Sequence, residues 1–484
     1  MSPAVLPSAA YDLTGKKVLL VNPPWQLDAG NAWKSVASCY PSLGLAMIAA
    51  YLEHCRAEVQ IIDMQGISGG PALLQRLEPP DFVGLTATTV IAAEAYQLSH
   101  LIRRLWKDVR IVMGGVHPTI APREVLERSA ADCVIRGEGE RSMAALVAGA
   151  PYEQIKGLAA VRAGAYWEHP ELDWIADLND MPLPSYHLLP LDKYHAPLGG
   201  ALRQPSMSII SSRGCPGRCT FCNSALHRRL RFRSAENVVR EIQYLVENHG
   251  IREIGFYDDT FVADRQRVRE ICRLLLAHGI NVTWTCMSRV NFADPLTLER
   301  MAQAGCHMIC YGVESADQEI LKNIRKGIRL EDVRAVVRMT QRAGITTRLS
   351  FMLGNPGETL ETMQKTLRFA LQVDPDLVQF NITTPYPGTQ MYRWADEQGY
   401  LLTKDWSQYD LSTVVMRLPT VSPEQIMRFY RYANRRFYLR PKTIARQLLA
   451  FLKHPALLAR SLRGTLGLLR TILTQSRARA PATS

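Results

Sequence analysis

The sequence predicts an α/β protein. A doubly wound parallel sheet spans residues 1–150, a proline-rich linker 151–205, a partial (β/α)6 barrel 206–400 and a basic helical region 401–484. Three observations predict it. Short apolar runs alternate with stretches of helical periodicity in two separate series, and strands that alternate with helices lie parallel in a layered sheet. Between the series prolines crowd, at Pro170, Pro182, Pro184, Pro190, Pro197 and Pro205, and Asp180-Met181-Pro182-Leu183-Pro184 reads as an extended connector. The net charge of +12 is not spread evenly: residues 428–484 hold 13 Lys and Arg and no Asp or Glu.

Composition narrows the class. A chain of 484 residues is too long for one average domain, and 47% hydrophobic residues can fill more than one core. No run of 18 residues is free of charge and polarity, so no transmembrane helix is expected. Residues 1–11 lack the basic start and apolar middle of a signal peptide. Ten cysteines without a secretion signal fit a reducing, cytoplasmic compartment. Outside the basic tail the chain is close to neutral, so no nucleic-acid partner is expected.

The first series begins with Lys17-Val18-Leu19-Leu20-Val21-Asn22, a strand that Pro23-Pro24 forces into a loop. A helix over 43–52 follows Pro41 and Ser42, which suit a helix start. Further strands are predicted over 59–62, 82–86, 111–113 and 133–135, with a helix over 92–106. In such a sheet the ligand lies beyond the carboxyl ends of the strands. Those ends carry Asn22-Pro23-Pro24-Trp25, Thr86-Ala87-Thr88-Thr89, Gly114-Gly115-Val116-His117 and Gly137-Glu138-Gly139-Glu140. No G-x-G-x-x-G follows the first strand, so a dinucleotide is not indicated.

The second series has strands over 207–210, 254–257, 282–286, 308–313, 348–353 and 378–382, and helices over 235–247, 264–278, 295–304, 330–342 and 360–373. Six strand–helix units make a partial barrel open on one side, with reacting groups at the carboxyl ends of its strands. There stand Asp258-Asp259-Thr260-Phe261, Ser288-Arg289, Gly312-Val313-Glu314-Ser315 and Gly354-Asn355-Pro356-Gly357-Glu358.

The loop leaving the first of these strands carries Cys215, Cys219 and Cys222 in the pattern C-x3-C-x2-C. Three thiolates on one short loop can hold three corners of an iron–sulfur cube and leave its fourth iron open. A structural zinc site would want a fourth ligand at close spacing, and none follows. Of the other cysteines, Cys306 and Cys310 are too few for a second cluster, and all read as small buried hydrophobes.

This spacing, with Phe221 just before the third cysteine, resembles the radical S-adenosylmethionine (SAM) family. The resemblance implies a [4Fe–4S] cluster on Cys215, Cys219 and Cys222 whose open iron chelates the amino and carboxylate groups of SAM. Its reduction cleaves SAM to a 5′-deoxyadenosyl radical. A reducing donor such as flavodoxin or ferredoxin follows from the same chemistry. Phe221 would flank the adenine, Asp258 would take the SAM amino group, and Arg289 and Glu314 its carboxylate or ribose. The preceding domain resembles the cobalamin-binding module of one radical SAM subgroup. Thr86, Thr88, Gly114, Gly115 and His117 would then line the buried nucleotide tail. The best-known cobalamin modules carry D-x-H-x-x-G after the first strand; here the place reads Asn22-Pro23-Pro24-Trp25-Gln26-Leu27, so no histidine from that loop is expected on cobalt. His117 is the nearest alternative, and reads more simply as a packed loop histidine.

The methylating members of that subgroup use two SAM molecules, one as methyl source and one for the radical that activates a substrate C–H. The resemblance leaves open an oxidative cyclase or rearrangement enzyme without methyl transfer, and a non-catalytic cobalamin sensor or carrier, which the intact cysteine loop opposes. In the tail, leucine-rich stretches over 444–451 and 457–473 carry Arg446, Lys453, Arg460, Arg463 and Arg470. They read either as basic helices lying on a membrane surface, on the inner face of the membrane, or as a cap packed on the barrel. The first reading makes the small-molecule substrate hydrophobic: lipid, isoprenoid or tetrapyrrole-like.

Overall fold

Apolar residues on both faces mark a strand covered on both sides. Lys17–Asn22 (β1) is such a strand, with every residue after Lys17 buried. The structure is a computed structural model of the chain and describes residues 8–25, 39–66, 70–196, 200–223 and 229–453. After β1 come α1 (Leu43–His54), β2 (Glu58–Asp63), β3 (Phe82–Thr86), α2 (Ala92–Leu105), β4 (Arg110–Gly114), α3 (Val116–Ile120), α4 (Pro122–Arg128), β5 (Cys133–Ile135) and α5 (Glu140–Val147). The strand order β2-β1-β3-β4-β5 is parallel and doubly wound, with its switch point between β1 and β3.

The sheet does not stop at residue 150. Two antiparallel strands, β6 (Leu158–Arg162) and β7 (Ala165–Glu168), extend it from β5 into the stretch that the sequence predicts as linker. Their signal is weak because β6 buries only Leu158, Ala159 and Ala160. The two-residue turn between them has positive φ at both Ala163 and Gly164, the geometry that joins twisted strands tightly.

The chain crosses to the second sheet through β8 (Ser206–Ile209). A two-stranded ribbon, β9 (Ser212–Arg213) and β10 (Arg231–Phe232), brackets the cysteine loop. Then follow α6 (Ala235–His249), β11 (Glu253–Phe256), α7 (Arg265–Ala277), β12 (Thr283–Ser288), α8 (Pro295–Gln303), β13 (Cys306–Glu314), α9 (Gln318–Asn323), α10 (Leu330–Arg342), β14 (Thr346–Leu353), α11 (Leu360–Val373) and β15 (Leu377–Ile382). The six strands β8-β11-β12-β13-β14-β15 are all parallel, as the partial barrel requires. Side chains alternate across them. Phe256, Trp284, Tyr311, Phe351 and Phe380 are buried on the helix side, while Gly255, Thr285, Cys310, Ser350 and Gln379 line the half-open interior. Ser234, Asp264, Asp294 and Thr359 accept backbone N–H bonds at the starts of α6, α7, α8 and α11, which fixes where each helix leaves its strand.

After α12 (Gln390–Glu397), residues 401–420 return to the first domain. Trp406, Tyr409 and Val415 join its core, and the Trp406 indole donates to Glu124 at 2.7 Å. α13 (Pro423–Tyr438) packs on β15 and α11. The predicted helix over 444–451 lies within α14 (Pro441–Lys453); the one over 457–473 lies outside the described residues. The tail is not without acidic counterweight. Asp374, at the end of α11, meets Arg440 at 3.2 Å, Lys442 at 2.6 Å and Arg446 at 2.8 Å, and Arg446 reaches Asp376 as well. Among the described residues no helix is long and apolar enough to cross a membrane.

Candidate active site where the two sheets meet

Asp258, at the end of β11, organises the start of the cysteine loop. It is 1% exposed, and its carboxylate accepts from Ser211 N at 2.7 Å and from the Ser211 and Ser212 hydroxyls at 2.6 Å each. Three donors already satisfy it beneath the ribbon. Beside its expected role as the partner of a SAM amino group, Asp258 holds the backbone from which the loop departs. Behind it, buried Arg267 donates to Ser211 O at 2.8 Å and Arg233 O at 2.6 Å, and burial lowers its guanidinium to about 10.

Cys219 is buried, and Cys215 and Cys222 are half-buried; none is in a disulfide. The Gly217 N–H points at Cys215 Sγ at 3.4 Å, and Arg289 Nη1 lies 3.7 Å from Cys219 Sγ. Burial raises the Cys215 thiol, against that N–H and the Arg289 charge. An N–H and a guanidinium aimed at sulfur suit a thiolate-bound anionic cluster. Among the described residues no three His, Cys, Asp or Glu side chains gather as ligands of one ion; a four-iron cube instead takes each thiolate on a separate iron. The far end of the loop is pinned by Thr220 N to Ile324 O at 3.0 Å and by Met391 N to Thr220 O at 2.9 Å.

Arg289 and Glu314 come together as the sequence predicts, with a residue it does not: Lys326. Lys326 Nζ bonds Glu314 Oε1 at 2.8 Å with both side chains buried, lies 5.9 Å from the centre of the Phe221 ring, and its carbonyl accepts from Arg289. Glu314 has φ +73 where the β13–β14 register shifts. A left-handed glutamate at a strand end is strained, and such strain gathers at functional sites. No local pattern points to Lys326, because it reaches Glu314 across a helix and a turn.

Glu358 sits deeper. Its carboxylate accepts from Gly354 N at 2.7 Å and Asn355 N at 2.9 Å, shaping the loop after β14. Burial outweighs both bonds and lifts the carboxyl from 4.5 to about 8. The folded protein therefore keeps a proton that the unfolded chain has released, and stability falls as pH rises from about 4.5 through about 8. Glu358→Gln should flatten the decline in melting temperature over that window; an equal slope in both proteins would contradict this assignment.

At the first sheet, Gly115 has φ +98, and a Cβ there would stand 2.7 Å from Thr86 Oγ1 and 3.0 Å from Ala87 O. The ends of β3 and β4 thus touch through bare backbone. The Thr86 and Thr88 hydroxyls have no hydrogen-bond partner among the described residues, and Thr88 is exposed. Free hydroxyls beside bare backbone at the carboxyl edge fit the polar tail of a nucleotide-like cofactor. Gly115→Ala should cost about 2–4 kcal/mol, from the left-handed backbone and the contact together, and should weaken cobalamin retention on gel filtration; unchanged melting and retention would count against it.

His117 is not available to cobalt. It is fully buried, its Nε2 lies 2.8 Å from the Tyr96 hydroxyl, and its ring stands edge-on to Trp406. Burial lowers it to about 4, so it is neutral near pH 7. The sequence places it at a strand end; α3 turns it inward. Asn22 likewise turns in, donating to Asp63 at 2.8 Å, and the described part of the following loop, through Trp25, holds no histidine. Gln26 and Leu27 lie outside the described residues.

The Gly137-Glu138-Gly139-Glu140 turn does something the sequence does not disclose. Arg213, two residues before Cys215, bonds Glu140 at 2.6 Å and reaches Glu138 at 3.4 Å; Arg231, on the other strand of the ribbon, takes Glu138 at 2.5 and 3.0 Å. Burial opposes charge on Glu138, but the two arginines and the Ile175 N–H hold its carboxyl below the ordinary value. The carboxyl end of β5 therefore grips both strands that carry the cysteine loop. The arginine beside the motif was the only available cue. Nearby, Tyr40 of the first domain meets Tyr257, at the end of β11, edge to face at 4.7 Å.

The family model described as Radical SAM superfamily matches residues 209–370, and that described as B12 binding domain matches 33–147. Over 463 residues the chain is 36% identical to an uncharacterized methyltransferase of Pyrococcus horikoshii, covering 93% of this chain and 98% of that one. It is 29% identical over 377 residues to the anaerobic magnesium-protoporphyrin IX monomethyl ester cyclase of Cereibacter sphaeroides, covering 75% and 60%. The solved structure of the cobalamin-dependent S-adenosylmethionine radical enzyme OxsB shares the fold, with a TM-score of 0.74 at 18% identity over 94% of this chain and 72% of that one. Two sheets joined at a three-cysteine loop, matched along nearly their whole length, place the chain among the cobalamin-dependent radical SAM enzymes, with a [4Fe–4S] cluster, SAM and cobalamin as cofactors.

Proposed function

We propose that the enzyme methylates an unactivated carbon of a hydrophobic small molecule, lipid, isoprenoid or tetrapyrrole-like. The observation that carries this reading is the grip of Glu138 and Glu140 on Arg213, which sets the cysteine loop against the carboxyl edge of the first sheet. Cys215, Cys219 and Cys222 ligate the cluster. Arg289, Glu314 and Lys326 supply two cations and a carboxylate for the SAM zwitterion, with Phe221 as an apolar wall for its adenine. Thr86, Thr88, Gly114 and Gly115 receive the cobalamin tail. When bound, the cofactors supply a carbon-centred radical and a transferable methyl group. Residues of the chain orient and enclose: Tyr257 and Met287, each more than a third exposed, offer apolar surface for the substrate. The Pyrococcus relative supports methyl transfer by its name. The cyclase relative favours a second reading, oxidative ring formation on the same scaffold.

The reading includes a reducing donor such as flavodoxin or ferredoxin. It also includes contact with a membrane surface, supported by Leu448, Leu449 and Leu452 of α14, all more than half exposed. The test is anaerobic incubation of reconstituted enzyme with SAM, reductant and cell extract. Methylation predicts a product heavier by one CH2, with S-adenosylhomocysteine and 5′-deoxyadenosine formed together. 5′-Deoxyadenosine with a product lighter by two hydrogens, and no S-adenosylhomocysteine, would select the cyclase reading instead.

A further inference from the structure

We propose that the groove between α11 and α13 is a binding site for the head group of an anionic phospholipid at a membrane surface. The proposal rests on the membrane contact inferred above and assigns it to a site. Leu360, Leu367 and Leu371 recur along one stripe of α11; Phe429 and Tyr432 face them from α13, and the trough between has a volume of about 580 Å³. Arg368, Arg428 and Arg436 stand along it. All three are exposed, and none makes an ion pair or a side-chain hydrogen bond among the described residues.

The acids nearby are already engaged. Glu361 lies against Lys365 at 3.7 Å, and Glu424 accepts from the Ser422 hydroxyl at 2.7 Å, its charge favoured by Arg428 without an ion pair. A few residues on, the pattern differs: Arg440, Lys442 and Arg446 share the carboxylate of Asp374. The groove arginines thus lack, among the described residues, the carboxylate partner that the cations at the root of α14 share. Guanidinium groups match phosphate geometry two bonds at a time.

Exposed apolar surface decides between a lipid and an acidic protein. Tyr432 is 53% exposed within the groove. Because Asp374 ties the end of α11 to Arg440 and Arg446, α14 begins where the groove ends, and it presents Leu448, Leu449 and Leu452 at 56%, 57% and 77% exposure. Exposed leucines on the helix that follows, together with groove arginines that make no ion pair among the described residues, suit the boundary between head groups and acyl chains. A soluble acidic partner would satisfy the arginines and leave the leucines in water.

The test is co-sedimentation of the full-length holoenzyme with phosphatidylglycerol-containing vesicles and with pure phosphatidylcholine vesicles at low salt. The triple variant Arg368→Gln, Arg428→Gln, Arg436→Gln should lose affinity for the anionic vesicles by on the order of 100-fold. Lysine at the same three positions, which keeps the charge without the two-bond fork, should recover only part of it. A charge-matched control, Arg300→Gln, Arg338→Gln, Arg342→Gln, on exposed positions of α8 and α10, should bind as the parent does. If the groove variant binds like the parent, the groove is not the site and the membrane reading stands without it. If groove and control variants lose affinity equally, net charge alone acts and the site is overturned. If the parent binds no vesicles, both readings fall. An acidic flavodoxin bound by the parent and lost in the groove variant, without vesicle binding, would make this a protein-docking face.

Discussion

Reconstituted protein in which Cys215, Cys219 and Cys222 are all alanine should lose the visible absorption of the cluster and all cleavage of SAM, while its far-ultraviolet circular dichroism stays that of the parent. Loss of function without loss of fold is expected because the loop is held by groups other than sulfur. Asp258 fixes its beginning through Ser211 and Ser212, and Ile324 and Met391 pin its end at Thr220. The cysteines contribute ligation, which requires thiolates. Iron content equal to that of the parent would remove these three residues from the cluster. Single substitutions should each leave too few ligands for a stable cube.

Arg213→Met is expected to have the largest effect of any single change outside the loop. Glu140 is buried, with a side-chain exposure of 4%, and among the described residues its ion-pair partner is Arg213. Removing one member of a buried pair leaves an uncompensated charge and costs about 3–5 kcal/mol. The double variant Arg213→Met, Glu140→Met should recover much of the melting temperature, since the unpaired carboxylate goes too. It should not recover catalysis, because the strand that enters the cysteine loop stays untied from the β5 turn, with only the Arg231–Glu138 pair left on the other strand. A double variant as active as the parent would show that the pair supplies stability alone.

Much of the architecture was legible because period and punctuation agree. β1, β3 and β5 and the helices α10 and α11 lie where the apolar pattern puts them, and the glycines after β4 mark a real backbone contact, at Gly115 against Thr86. β6 carries little periodic signal because its centre is Ala159 and Ala160, and β7 is only four residues long. Site residues were legible by position and less so by direction. Asp258, Arg289 and Glu314 do stand at barrel strand ends, but the fold turns Asp258 under the ribbon, toward Ser211 and Ser212, and His117 into the core against Tyr96 and Trp406. Lys326, Glu138 and Glu140 act through partners far away in sequence, and a one-dimensional pattern carries no trace of such pairings. The basic tail shows the same limit: its net charge was readable, but the pairing of Arg440, Lys442 and Arg446 with Asp374 and Asp376 was not.

In the proposed arrangement the cysteine loop holds its cluster facing cobalamin across the junction gripped by Arg213. Pulsed electron paramagnetic resonance on the reduced holoenzyme measures it directly, through the dipolar coupling between the paramagnetic cluster and paramagnetic cobalamin. A single narrow distance distribution is predicted in the parent, broadened in Arg213→Met and absent when the three cysteines are alanine. Two uncoupled spins in the parent, or a distribution that Arg213→Met leaves untouched, would contradict it.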